Sequence, residues 1–429
     1  MPILSVIIPT YNRCDSLKRT LNALARQTFP LEQVEVIVVA DGCSDDTLTM
    51  LATYAAPFAL KVIEQPGQGA AVARNQGAAQ ASANLLLFLD DDIEATACLL
   101  EAHFTVHDTH SEKVVLGYLA PVIHSQSRLF RSKLRIWLEA MFEPMRQPGY
   151  RYSYRNLLTG NVSLRADLFN RVGGFDPTFK CHEDYELGIR LIEAGAAFHF
   201  SEEAMGYHHE MTDLNRSLRR KYQEGIASIQ LGRKYPEFIA TFPVMSLFTH
   251  PESWLYRVLP VLVFQFPRLC DGVAVMLRSC LNFLEGIRAY GYWQMLLDRL
   301  LGYWYLRGMV HELGNRSAFA KFIRFEVVDT HEGFELELNL QEGLQAAEEQ
   351  LDRYRPASVS IRYEKKFIAQ FPAKRGLERL RGRHLRSLLA TTSGYSLTMA
   401  LALAGVTQPE IMHHLPQPEQ LQPLEETIR

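Results

Sequence analysis

Over residues 4–89, short apolar runs alternate with segments whose apolar residues recur at helical spacing. Leu4-Ser5-Val6-Ile7-Ile8, Val34-Glu35-Val36-Ile37-Val38-Val39 and Leu85-Leu86-Leu87-Phe88-Leu89 read as buried strands, with residues 60–63 as a shorter one. Between them, Leu17, Leu21 and Leu24 follow the candidate caps Asp15 and Ser16. Leu48 and Leu51 follow Ser44 and Asp45, and residues 70–81 form a small-residue helix. Repeated β-α units of this kind dictate an α/β fold, a mostly parallel sheet with helices on both faces. Ligands of such sheets bind beyond the carboxyl ends of the strands. Asp41 and the triplet Asp90-Asp91-Asp92 stand at two of those ends.

The pattern changes near residue 216. Arg216, Arg219, Arg220, Lys221, Arg233 and Lys234 make a basic stretch, followed by a helix-like region holding Trp254, Trp293 and Trp304. Beyond residue 320, Phe334-Glu335-Leu336-Glu337-Leu338 alternates as a half-exposed strand, residues 341–353 read as an acidic surface helix, and residues 357–371 as a strand pair. A chain of 429 residues exceeds one ordinary core. The expected division is a catalytic α/β domain over 1–215, a helical aromatic-rich region over 216–315 and a small α+β domain over 316–429.

Composition removes several classes. A net charge of −3 gives no global drive toward nucleic acid, and no nucleic-acid partner is expected. The six cysteines lie far apart with no C-x-x-C pair, which excludes common zinc ribbons. Met1-Pro2 leads directly into the first apolar run, which reads as a strand and not a signal peptide. The charge-free run 387–409 has the length of a bilayer span but carries Ser, Thr and Gly394. It reads as a partly buried helix.

Three acidic constellations need a reason. Consecutive aspartates after a buried strand repel one another, so a cation site, a helix cap with surplus charge and a solvated loop compete as explanations. Glu183-Asp184 opens a helix whose buried stripe is Leu187 and Leu191 and whose C-terminal residue is Gly195. There the choice lies between capping and a general base that deprotonates a hydroxyl nucleophile. In His208-His209-Glu210, one histidine could complete a divalent-metal site, or the pair could be ordinary surface residues.

Taken in order, these pieces resemble the family 2 glycosyltransferases with the GT-A fold. Ser5-Val6-Ile7-Ile8-Pro9-Thr10-Tyr11-Asn12-Arg13 is similar to the family's opening strand and loop. Ala40-Asp41-Gly42-Cys43-Ser44-Asp45 is similar to its D-D-G-S-x-D, departing by the alanine. Gly69-Ala70-Ala71-Val72-Ala73-Arg74-Asn75-Gln76-Gly77 resembles G-x-x-x-A-R-N-x-G, and Phe88-Leu89-Asp90-Asp91-Asp92 the DxD segment. Gly160-Asn161, Val172-Gly173-Gly174-Phe175-Asp176 and Glu183-Asp184-Tyr185-Glu186-Leu187 fit the acceptor half. The resemblance covers about residues 3–210.

The resemblance implies a Rossmann-like GT-A domain that transfers a sugar with inversion from a nucleoside-diphosphate sugar, with UDP the commonest base. Pro9, Tyr11, Arg13, Asp41, Arg74, Asp90 and Asp91 would bind the nucleotide sugar. Asp92 would hold a divalent metal, Mn²⁺ or Mg²⁺, with His208 as a further ligand. Asp184 would be the catalytic base, and Gly160, Asn161 and Glu183 would lie on the acceptor side. The implied acceptor is a glycan or lipid-linked saccharide, in cell-envelope or polysaccharide biosynthesis. Processive synthases of the superfamily carry Q-x-x-R-W, which is missing here, so single additions are expected. The alternatives are a silent nucleotide-sugar-binding module and a nucleotidyltransferase.

One expectation comes from residues 216–310. Trp293, Leu296, Leu297, Leu300, Leu301 and Trp304 share one helical face, which either packs internally or meets an anionic membrane. The expected location is cytoplasmic, with peripheral contact on the cytoplasmic face of the membrane.

Overall fold

The computed structural model describes residues 2–108, 113–242, 254–323, 334–393 and 397–398. Its main sheet has eight strands: β1 (Leu4–Thr10), β2 (Val34–Asp41), β3 (Ala59–Gln65), β4 (Leu85–Leu89), β5 (Ile93–Ala95), β6 (Lys113–Ile123), β7 (Asn161–Arg165) and β8 (Ala197–Glu210). They lie in the order β3-β2-β1-β4-β7-β6-β8-β5. β1 pairs in parallel with β2 and β4, and β2 with β3. β7 runs antiparallel to β4 and β6, β6 parallel to β8, and β5 antiparallel to β8. Every residue of β2 and β4 is buried, as suits their largely apolar sequences, and in β2 that includes Glu35 and Asp41.

Helices α1 (Cys14–Leu24), α2 (Thr47–Thr53) and α3 (Ala70–Ala79) join the first four strands. The start of α1 differs from expectation. It begins at Cys14 behind Arg13, whose guanidinium has no acceptor to offer a cap and donates to Asp91 and Asp92, while Asp45 Oδ2 accepts from the Cys14 amide at 3.2 Å. α4 (Leu99–Asp108), α5 (Arg128–Phe142), α6 (Ala166–Arg171) and α7 (Glu183–Glu193) complete the layer around the sheet. α7 buries Leu187 and Leu191 as expected, and Gly195 takes the left-handed φ of +79° just past its end.

Among the described residues, five further helices follow: α8 (Leu214–Lys234), α9 (Trp254–Gln265), α10 (Pro267–Gly286), α11 (Tyr290–Leu313) and α12 (Arg316–Ile323). α8 and α11 cross backbone to backbone. A Cβ on Gly225 would stand 2.0 Å from the Tyr305 carbonyl oxygen, and one on Gly308 would stand 2.0 Å from that of Tyr222. Along α11, Trp293, Leu297 and Leu300 are buried, with Leu296, Leu301 and Trp304 half-covered. The helical face that could have met a membrane is therefore turned inward. One apolar cluster runs from Leu4 in β1 to Phe322 in α12, so these helices extend the core of the sheet. No single described helix is long and apolar enough to cross a membrane. Residues 258–265 and α10 pass that test only together, as a pair bent by 113°.

The last segment builds a small sheet of β9 (Glu335–Asn339), β10 (Ser358–Tyr363) and β11 (Lys366–Phe371), covered by α13 (Leu344–Tyr354) and α14 (Gly382–Leu388). Leu336 and Leu338 point into a second core with Leu344, Leu351 and Ile361, while Glu335 and Glu337 point out. A fully buried Glu378 ties this module to the rest. It accepts from the Tyr152 amide (3.1 Å) and from Arg383 at both oxygens (2.7 Å each), and it meets His384 Nε2 at 3.1 Å. The Tyr154 amide donates to the Gly376 carbonyl at 3.0 Å. Most of the charge-free run 387–409 lies outside the described residues.

Candidate active site

The loops after β1 and β4 meet because those strands are neighbours. Thr10 Oγ1 donates to Asp91 Oδ2 at 2.7 Å, and the Arg13 guanidinium donates to Asp91 Oδ1 (2.9 Å) and Asp92 Oδ2 (2.6 Å). Thr20 Oγ1 donates to the Asp91 carbonyl at 3.0 Å. Asp91 is thus a bracket between strand and helix, and burial pushes its carboxyl up to about 6 despite Arg13. Asp92 is as deeply placed, but the contacts with His208 and Arg13 outweigh burial and hold its carboxyl down at about 2. His208 reaches Asp92 because the β5–β8 register sets it opposite Ile93, the residue after Asp92. Its Nε2 is 3.7 Å from Asp92 Oδ1, which is buried and has no hydrogen-bond partner.

Arg74, buried on α3, spans the cleft. It donates to Asp90 Oδ1 at 2.8 Å and to Glu183 Oε1 at 2.9 Å. Gly160 faces Asp90, and a Cβ there would lie 3.1 Å from Asp90 Oδ2. The Asp90 amide donates to the Gly160 carbonyl at 3.1 Å. Asn161 next to it holds the Ala204 carbonyl (2.7 Å) and meets His103 Nε2 at 2.8 Å, a contact that belongs to the core beneath the cleft.

Glu183 and Asp184 form the first turn of α7. Asp184 accepts from the Tyr185 amide at 2.8 Å, while Arg220 and Arg74 act on it only through space. Burial and the neighbouring Glu183 charge push its carboxyl up to about 7. Ahead of it, His182 has a left-handed φ of +62° and stacks on Tyr185 with centroids 4.6 Å apart. Burial pushes its imidazole down to about 4, and its Nδ1 is buried without a partner. Sequence reasoning missed His182, since one histidine ahead of two acids carries no signal. It also missed Tyr154, whose carbonyl oxygen would lie 2.5 Å from a Cβ on Gly188 of α7.

Two expected nucleotide contacts, Asp41 and Tyr11, lie at the ends of β2 and β1. Asp41 accepts from Gln65 Nε2 (2.7 Å) and from the amides of Gln68 (2.7 Å) and Gly69 (2.8 Å). It fastens the turn that leads into α3 and so to Arg74. Tyr11 is 59% exposed beyond Pro9, in a loop laced by Asn12 Oδ1 to the Ser44 amide at 2.7 Å. Ala40, where the family pattern has an acid, is fully buried.

Among the described residues, no three His, Cys, Asp or Glu side chains gather to hold a metal by themselves. The unpartnered Asp92 Oδ1 and the nearby His208 Nε2 offer two donors. That suits a hard cation whose remaining positions go to phosphate oxygens and water. The donor set fits Mn²⁺ or Mg²⁺.

Comparison with known proteins gives matching results. The model described as glycosyl transferase family 2 matches residues 5–173, and one described as the N-terminal domain of galactosyltransferase matches residues 139–213. Validoxylamine A glucosyltransferase of Streptomyces hygroscopicus is 35% identical over 270 residues, covering 56% of this chain and 62% of that protein. The chain thus spans about three fifths of that relative's length. Glycosyltransferase AglE of Haloferax volcanii is 27% identical over 237 residues, covering 54% of this chain and 74% of its own. The mannosyltransferase PcManGT of Pyrobaculum calidifontis, solved with GDP-Man and Mn²⁺, superposes with a TM-score of 0.44 at 18% identity. That match covers 70% of this chain and 86% of PcManGT.

Proposed function

Residues 5–173 belong to glycosyl transferase family 2, and on that premise we propose that the chain is an inverting, non-processive glycosyltransferase. It moves a sugar from a nucleoside-diphosphate sugar, with UDP the expected base, to a hydroxyl of a glycan or lipid-linked acceptor. The observation that carries this reading is the double grip of Arg74 on Asp90 and Glu183. One guanidinium brings the DxD segment and the acid pair of α7, 93 positions apart at Asp90 and Glu183, into a single cleft.

On this reading Asp184 takes the proton of the acceptor hydroxyl as that oxygen bonds to the anomeric carbon. The bond from that carbon to the phosphate oxygen breaks on the opposite side, and the nucleoside diphosphate leaves. A carboxylate titrating near 7 is matched to such work at neutral pH, because it is basic enough to accept a proton yet ionised in much of the population. A divalent cation held by Asp92 and His208 would neutralise charge on the departing diphosphate. Arg13 keeps the Asp92 carboxylate ionised and oriented, and Asp91 locks the loop from behind. Arg74 offers cationic charge to the diphosphate while restraining Glu183.

The test is turnover of a panel of nucleotide sugars with Mn²⁺, read as nucleoside diphosphate release. Release that depends on an added glycan or lipid-linked acceptor supports transfer. Binding without turnover would point to a silent nucleotide-sugar module, and pyrophosphate formed from a nucleoside triphosphate to a nucleotidyltransferase.

A further inference from the structure

Most of the large hydrophobic side chains exposed among the described residues lie between Val258 and Met295. α10 carries the core of this surface. Leu269, Val273, Met276, Cys280, Phe283 and Ile287 recur every three or four residues along its outward face, with Leu269 67%, Met276 63% and Phe283 65% exposed. Three charged side chains of the same helix, Asp271, Arg278 and Glu285, are turned toward the protein. Asp271 accepts from Arg307 and Tyr303, Arg278 bonds Asn215, and Glu285 accepts from Ser127 Oγ and the Leu129 amide at the start of α5. Between Arg268 and Arg288 the outward face carries no charge. A helix bathed by water would have the opposite arrangement.

We infer that this face, with the outer side of α5, docks on the surface of an anionic bilayer. Three features favour lipid over a second protein chain. The face is broad and angular, since α9 and α10 meet at a sharp bend and pass the hydropathy test for a membrane segment only as that bent pair. Beside it on α5 stand Ile136 (66% exposed) and Trp137, with the exposed Arg131 and Arg135. Aromatic side chains next to arginines are the composition of an interfacial segment. Last, the net charge of the chain is −3, yet Arg128, Arg131, Arg135, Arg268 and Arg288 all lie exposed around this surface. That local positive rim complements anionic headgroups, to which each nearby cation adds attraction.

The surface also starts beside the cleft. His124, at the end of β6, stacks on His209 with centroids 5.5 Å apart, and three residues later Ser127 caps α5 and binds Glu285 of α10. The bilayer contact is independent of the sugar-transfer reading, because it is measured without turnover.

The experiment is co-sedimentation of the full chain with phosphatidylcholine vesicles, with and without phosphatidylglycerol. Binding to the anionic vesicles, at least about tenfold weaker to the neutral ones and weakened by salt, is expected. M276E/F283E lies on the outward face and should leave the circular dichroism melt unchanged while lowering binding by roughly tenfold or more. R131E/R135E should do the same through charge alone. A protein that stays in the supernatant with both vesicles, or an M276E/F283E variant that binds like the parent, overturns the inference. So does a dimer in sedimentation velocity that dissociates on M276E/F283E without any vesicle binding, which would place a second copy on this face.

Discussion

At the ends of β1 and β4, each acid meets a cation or a hydroxyl. Asp90 meets Arg74, Asp91 meets Thr10 and Arg13, and Asp92 meets Arg13 and His208. At the start of α7, Asp184 meets one amide and the like charge of Glu183. The same side chain is therefore held near 2 as Asp92 and pushed up to about 7 as Asp184. Under the proposed function, the Asp92 end would keep the negative charge that a cation needs, and the Asp184 end would take up a proton. The two regions differ in partners more than in depth, since burial raises both aspartates and only Asp92 has cations close enough to reverse it.

The comparison breaks most sharply at Asp184. Asp184→Asn should lower transfer by roughly 10²–10⁴-fold while nucleotide binding by calorimetry stays within about twofold of the parent. Retention of a tenth of the activity would remove Asp184 as the base. The next largest effect is expected at Arg74. Arg74→Ala leaves Asp90 and Glu183 facing each other without their shared counter-ion, a loss of about 3 kcal/mol measurable by urea denaturation. Arg74→Lys should recover only part of it, because a point charge cannot grip both carboxylates as the guanidinium fork does.

Asp92→Ala tests the opposite side. Nucleoside diphosphate affinity should lose its dependence on Mn²⁺, weakening by roughly 10–100-fold at saturating metal. Affinity that still rises along a Mn²⁺ titration would contradict the assignment.

The smallest effect concerns stability against pH. For Asp184 the folded pKa is raised above the unfolded value, so its contribution is fully present below about 4 and is lost as pH rises through about 7. Asp184→Asn should thus stabilise the protein at pH 8 by roughly 1–2 kcal/mol, with water in the cleft reducing the effect, and should change little at pH 4. Asp92 works in the other direction, its stabilisation being present above about 4 and lost as pH falls toward 2. The rate should follow the Asp184 sign, falling as pH drops below about 7 because only the carboxylate accepts a proton.

The sheet was readable where strands are buried on both faces, since β1, β2 and β4 are mostly apolar, with few polar residues such as Ser5 and Glu35. β3 was placed too short because it is mostly exposed, and β5 and β8 escaped notice because their pairing depends on register between distant segments. The acids of the cleft were visible as clusters. Their partners were not, because Thr10–Asp91, Arg13–Asp92 and Arg74–Glu183 join positions far apart in the chain. Asp41 illustrates the limit. Its place at a strand end was correct, and its partners, Gln65 at the end of β3 and the Gln68 and Gly69 amides just beyond, were not visible in the sequence. The helical region was legible in type, but the sequence left the direction of its apolar face open. Periodicity finds an apolar face on α11 equally well whether that face looks inward or outward, and the packing leaves Trp293, Leu297 and Leu300 buried.

The Glu378 junction bears on how the molecule can be divided. The family match ends at residue 173, but the loop just before that end draws two of its acceptors from some two hundred residues later. The Tyr152 amide relies on the Glu378 carboxylate, and the Tyr154 amide on the Gly376 carbonyl. Tyr154 is also the residue against which Gly188 of α7 packs, four positions from Asp184. A fragment ending after α12 would remove the partners of those amides, at about 1–3 kcal/mol each where they stay buried, directly behind the helix that carries Asp184. The boundary suggested by kinship and the boundary set by physical closure therefore fall in different places, and the sheet at the far end of the chain is a wall of the catalytic half.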